Sequence, residues 1–404
     1  MHRDGGGVER AATPRFETVD VLRGLSILAV VLLHCWLRFF LNGVAVGTGL
    51  PKWLSRLLLR NGGNGVTVFF AISGFLIMLT SVRRFGGLRR MRARVFYRIR
   101  FARIAPLLLL ILVVLSLLHW ASLHSQAFEL WHVKEAVGLP RALFSALTFH
   151  LNWLEAKTGY LPANWDVMWS LSVEEMFYLF FPVVCVAFVG ERSPLRRVGW
   201  PLLFLLAGAL LVLGPWARSV WITTDIGQEK SYLGGMNAIA MGCLAALLCD
   251  RLSRVGGVPR RWLYAAEAAG WVLIAWMATW PRWAWLHGVS RFLARTDLDD
   301  TVLPLGVCLV MAATVLRGSR GGGWLTAPVR WFGRHSYEVY LTHEFLVLLG
   351  VMAFLRWHGA RPGMWTVGIT LLTAPLGWAV TRWFSEPMNR SLRGALPPAK
   401  SASR

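Results

Sequence analysis

Cysteine is scarce in this chain, and what there is does not pair. The five residues (Cys35, Cys185, Cys243, Cys249 and Cys308) are odd in number, each lies within an apolar stretch, and none belongs to a CxxC spacing. That pattern excludes a disulfide framework and a thiolate metal centre and leaves them as small buried hydrophobes, so no metal is expected. Acidic residues are also few, 21 against 43 Lys and Arg, for a formal charge of +22. Such an excess can mark a nucleic-acid binder, but here the basic residues fall in short gaps between apolar runs, and no nucleic-acid partner is expected. The opening stretch "MHRDGGGVERAATPRFETVD" lacks the apolar core of a signal peptide, which argues against a cleaved export signal. Internal repeats of the transporter kind are missing, as are low-complexity runs beyond the Gly-rich start and the Pro/Ala tail. Only 16% of residues are charged while 55% are hydrophobic, the profile of a polytopic membrane protein.

What is present is a series of apolar runs, beginning near Val21, Val66, Ile104, Ser172, Trp200, Leu233, Trp262, Thr301, Ser336 and Met364. Each is about long enough for a helix to cross a hydrocarbon layer roughly 30 Å thick. The chain is therefore predicted to be an all-α polytopic membrane protein of about ten transmembrane helices, in contact with the lipid bilayer along most of its length. Between the third and fourth runs lies a segment of mixed polarity, about Ala121 to Met168. Its short apolar piece "LFSALTFHLNWL" suits an interfacial or re-entrant position. The larger share of Lys and Arg falls on the N-terminal tail, the even-numbered loops and the C-terminal tail, which places both termini in the cytoplasm. The expected organisation is a cytoplasmic tail over 1–19, a transmembrane domain over 20–384 and a second cytoplasmic tail over 385–404, in a multi-pass protein of the inner (plasma) membrane.

Three groups of ionisable residues interrupt this apolar pattern. The first run, "RGLSILAVVLLHCW", opens on Arg23 and carries His34 near its far end. Ionisable side chains within a span are costly and usually face a cavity or a partner. Eleven residue steps are about three helical turns and roughly 16 Å, so both project from nearly one face at different depths. Arg23 alone could snorkel to the interface, and His34 alone could be a neutral histidine bonded to a neighbouring helix. The second group is the loop from Arg83 to Arg103, with nine arginines and no acid. Topology needs only a few basic residues, and guanidinium groups bind phosphates with paired hydrogen bonds, so anionic lipid headgroups or a phosphorylated cosubstrate are candidate ligands. The third is "NWDVMWSLSVEEMFYLFFP", where Glu174 and Glu175 point about 100° apart on a helix, so at most one need face a given cavity. A carboxylate beside an imidazole would raise its basicity, as a general base requires.

Taken together these residues resemble the acyltransferase-3 family of integral-membrane acyltransferases, from Phe16 to Arg390. The family's Arg or Lys, ten residues, then His corresponds to Arg23 and His34. "GVTVFFAISGFLI" from Gly65 is similar to its second helix, and "RIRFARIAP" to the basic entry of its third. "WSLSVE" resembles its Trp-Ser/Thr-Leu signature and selects Glu174; "SYEVYLTH", ending at His343, and "SEP" at Ser385 resemble its late motifs. The resemblance implies transfer of an acyl group, usually acetyl from acetyl-CoA, onto a hydroxyl of a glycan such as a cell-surface polysaccharide or lipid-linked sugar. It implies His34 and Glu174 as a catalytic pair, Glu174 orienting His34, with Arg23, Arg100 and Arg103 on the CoA phosphates. Trp169 and Ser170 of the signature, with Tyr337 and His343, are candidate substrate contacts, although helix–helix hydrogen bonding competes for Tyr337 and His343. Asn61, Asn64 and Asn152 are weaker candidates for sugar contacts from the outer loops. General-base catalysis and an acyl-histidine intermediate both remain open. The competing classes are a transporter, which predicts pseudo-symmetry, and an O-acyltransferase of a small glycosylated metabolite.

Overall fold

The computed structural model describes residues 16–279, 298–318 and 323–394. The outer parts of the two expected tails, 1–15 and 395–404, lie outside the described residues. Helices form at all ten expected places: α1 (Glu17–Leu41), α2 (Gly62–Phe85), α3 (Ala93–Ser122), α4 (Trp169–Val189), α5 (Gly199–Trp216), α6 (Tyr232–Arg254), α7 (Arg260–Ala278), α8 (Asp299–Arg317), α9 (Ser336–Arg356) and α10 (Pro362–Val380). No strand occurs among the described residues. Eight of these segments are long and apolar enough to cross a membrane, all but α7 and α8. Those two pack on each other, the Gly270 and Gly306 backbones in close approach. Their helices are 19 residues each, with Arg260, Arg261 and Glu267 on α7 lowering its apolar character.

The mixed segment before α4 contains no helix of spanning length. It folds into short helices, Leu139–Leu147 and Leu151–Thr158, and a 3-10 turn, Ala163–Met168. Leu151, Leu154 and Trp165 are fully buried, so the segment is packed into the helix bundle as a cap. The start of the expected C-terminal tail is likewise structured: a helix, Glu386–Arg393, packs against α3, and Arg98 donates to the Leu392 carbonyl.

Two small residues set the packing around the ionisable groups. A Cβ on Gly74 of α2 would lie 1.9 Å from the Ile239 carbonyl oxygen of α6, so only glycine lets these helices meet there. On α1, a Cβ at Gly24 would lie 1.9 Å from the Val329 carbonyl oxygen of the short helix Ala327–Arg334. That approach seats Arg23 beside the first turn of α9, where its Nη2 donates to Ser336 Oγ at 2.8 Å. Further along, His34 meets His343 and Arg38 meets Glu344. Contacts advance in the same direction on both helices, so α1 and α9 are parallel, as two odd-numbered spans must be.

Candidate active site

On α9, Ser336, Tyr337, Tyr340, His343 and Glu344 recur at helical spacing and share one face toward the bundle interior. With α1, α3 and α4 they form two polar clusters, one at Arg23 and one at His34, offset by roughly 16 Å along α1.

In the first cluster Arg100 of α3 donates from Nη2 to Glu175 Oε1 at 2.9 Å, and its guanidinium stacks 3.8 Å from the Tyr178 ring centroid. Its buried Nε has no hydrogen-bond partner among the described residues. Glu174 accepts from Ser73 Oγ at 2.8 Å and lies within electrostatic reach of Arg100 and Arg23. Arg103 is exposed at the same end, and its charge acts on Arg23 and Glu175. Tyr337 donates to the Ile104 carbonyl at 2.8 Å, tying α9 to α3. An exposed arginine, a buried guanidinium nitrogen and a half-buried arginine are a donor set suited to phosphate oxygens.

The second cluster is centred on two imidazoles. His343 is fully buried, its Nδ1 facing the Tyr340 carbonyl at 2.7 Å and its Nε2 lying 3.1 Å from His34 Nδ1. His34 Nδ1 also faces the Val30 carbonyl at 2.9 Å. Only a protonated nitrogen satisfies a carbonyl oxygen, so both rings carry the proton on Nδ1. His343 Nε2 is then an acceptor for His34 Nδ1–H, and His34 Nε2 keeps its lone pair, with no hydrogen-bond partner among the described residues. Glu344, fully buried, pairs with Arg38 at 2.5 Å through Oε1 while Oε2 has no partner among the described residues. Asp166, Arg38 and Lys230 are the charges within electrostatic reach of His34. Tyr340 ties α9 to the turn before α4: its hydroxyl donates to the Val167 carbonyl at 2.8 Å, so Ser170 Oγ, 2.7 Å away, must donate to it.

Donor atoms of His34, His343 and Glu344 lie within 4.8 Å of one another. The set suits a proton relay better than a cation, because both Nδ1 atoms face carbonyls and Arg38 already compensates Glu344.

The structure thus brings His34 and His343 together, and groups Arg23, Arg100, Arg103, Glu174 and Tyr337 in the other cluster. No hydrogen bond joins Glu174 to His34 among the described residues. Glu174 is held by Ser73, and the group on the inner nitrogen of His34 is His343. Trp169 packs edge-on to Phe70, with Lys230 Nζ 5.9 Å from its ring. Asn61 and Asn64 bond to each other, and Asn61 to the Ala278 carbonyl; Asn152 donates to the Lys230 carbonyl. Sequence reasoning missed Tyr340, Arg38, Glu344 and Lys230. The i, i+3, i+4 spacing of Tyr340, His343 and Glu344 was the available signal on α9, whereas nothing local marks Arg38 as the partner of a residue 306 positions away.

Fold and site together define a polytopic membrane protein with two polar clusters set inside its helix bundle. The acyltransferase-domain model of the acyltransferase-3 family matches residues 16–382, and the chain belongs to that family. It is 26% identical over 93% of its length to the peptidoglycan O-acetyltransferase OatA of Listeria monocytogenes, covering 56% of that protein. It is 23% identical to the O-acetyltransferase OatA of Staphylococcus aureus over 96% of its length, covering 60% of it. The putative peptidoglycan O-acetyltransferase YrhL of Bacillus subtilis is 26% identical over 82% of the chain, which covers 48% of YrhL. The chain therefore spans about half to three-fifths of the relatives it matches. No solved structure matches it significantly.

Proposed function

We propose that this protein is an O-acetyltransferase of the plasma membrane that moves an acetyl group from acetyl-CoA onto a hydroxyl of a glycan, with both termini in the cytoplasm. The observation that carries the reading is the His34–His343 pair at 3.1 Å, which leaves His34 Nε2 free as a base. His34 Nε2 accepts the proton of the acceptor hydroxyl as its oxygen attacks the thioester carbonyl. The C–S bond then breaks and the proton passes to the departing thiolate. His343 steadies the imidazolium by accepting from its Nδ1–H. The arginine cluster lies toward the basic, cytoplasmic end and offers Arg23, Arg100 and Arg103 to the donor's phosphates. A glycan acceptor is supported by the names of two of the relatives, the peptidoglycan O-acetyltransferase of Listeria monocytogenes and the putative one of Bacillus subtilis. Whether that glycan is a polymer or a lipid-linked sugar is read from products: membranes given labelled acetyl-CoA yield labelled glycan, resolved by mass spectrometry. His34→Ala is expected to lower transfer by a factor of 10³ or so with unchanged membrane insertion. Wild-type product from that variant contradicts the reading.

A further inference from the structure

A third polar group, outside the two clusters, joins the cap before α4 to Lys230, just ahead of α6. Lys230, with 1% of its side chain exposed, pairs with Glu155 Oε2 at 2.7 Å and with Asp166 Oδ1. Glu155 is completely used, because its other oxygen accepts from the Leu161 amide at 3.0 Å. One carboxylate neutralises Lys230, so the second is surplus to charge balance. Asp166 is 17% exposed, and its remaining oxygen has no hydrogen-bond partner among the described residues. The next residue on its turn, Val167, accepts from the Tyr340 hydroxyl, and the Tyr340 ring lies 5.9 Å from that of His343, so the turn that carries Asp166 packs beside the histidine pair.

Beside it is Tyr160, with 51% of its surface exposed. One face of its ring is covered by Lys230 Nζ at 4.4 Å, and its hydroxyl donates to Glu229 Oε2 at 3.2 Å. Burial and the Glu229 carboxylate push the phenol above its ordinary range, so it stays a donor and the ring stays fixed.

We propose that Asp166 and Tyr160 form the acceptor subsite, and that its occupant is an uncharged sugar ring. Ring hydroxyls donate to the free Asp166 oxygen, and the C–H face lies on Tyr160. An anionic sugar is disfavoured by the Asp166 charge. The inference rests on the acceptor being a glycan, as proposed above.

The test measures binding without an acyl donor, using the full chain in nanodiscs and two probes: a neutral N-acetylglucosamine tetramer and an anionic oligogalacturonate. Expected are a weakening of about tenfold for the neutral probe in Asp166→Asn and Tyr160→Ala, and tighter oligogalacturonate binding in Asp166→Asn than in wild type. In transfer assays the same variants should raise KM more than they lower kcat, which a purely structural role does not produce. Wild-type affinity in both variants overturns the subsite, as does failure of wild type to bind the neutral probe at millimolar concentration. Should Asp166→Asn fail to fold, Tyr160→Ala, whose ring is half exposed, decides alone. Sugar binding without any acetyl transfer sinks the proposed activity and leaves the subsite standing; transfer with unaltered variant binding does the reverse.

Discussion

Arg38 and Glu344 illustrate how much a single pair holds at the residue scale. Glu344 is fully buried and Arg38 has 20% of its side chain exposed, so removing Arg38 leaves an uncompensated carboxylate in the bundle. Arg38→Ala is expected to destabilise the protein by about 3 kcal/mol, and adding Glu344→Gln should recover part of that loss, because the stranded charge disappears. Thermal unfolding in detergent measures both; equal losses in the single and double variants contradict the assignment. The same scale shows what was legible beforehand. Arg23 and His34 announced themselves through helical periodicity in an apolar run. Their partners, Ser336 and His343, lie 313 and 309 residues away, a separation at which one sequence carries no contact information. Adjacent carboxylates were harder still. With about 100° between them, Glu174 and Glu175 had to diverge, and packing sent one to Ser73 and the other to Arg100.

At the scale of elements, α2 and α6 depend on close backbone approach. Gly74→Ala forces a methyl group against the Ile239 carbonyl, and the helices must separate at a cost on the order of 1–3 kcal/mol. Gly363→Ala in the first turn of α10, where nothing lies within 4 Å, is the control and should be near neutral. A lower unfolding temperature for the first variant alone supports this packing; matching values contradict it. The positions of the long helices were readable because spanning length and apolarity are properties of a local window. The cap was less so, since its short helices are buried by neighbours rather than by their own pattern.

At the scale of the whole molecule, the two clusters give the protein a direction: arginines toward one end, and the histidine pair with the cap toward the other. The orientation we propose predicts that a membrane-impermeant maleimide labels Lys52→Cys and Lys134→Cys in intact cells. Arg89→Cys and Arg192→Cys should label only after permeabilisation; all five native cysteines are buried and should stay silent. Labelling of position 52 and position 89 from the same side contradicts this topology. Within that frame, the central claim is that His34 and His343 act as one unit. It is tested most directly by acetyl-transfer rates of His34→Ala, His343→Ala and the double variant in proteoliposomes. The account predicts that the double variant is no slower than His34→Ala alone, as for residues sharing one proton path. Losses that multiply, or a His343→Ala rate equal to wild type, would contradict it.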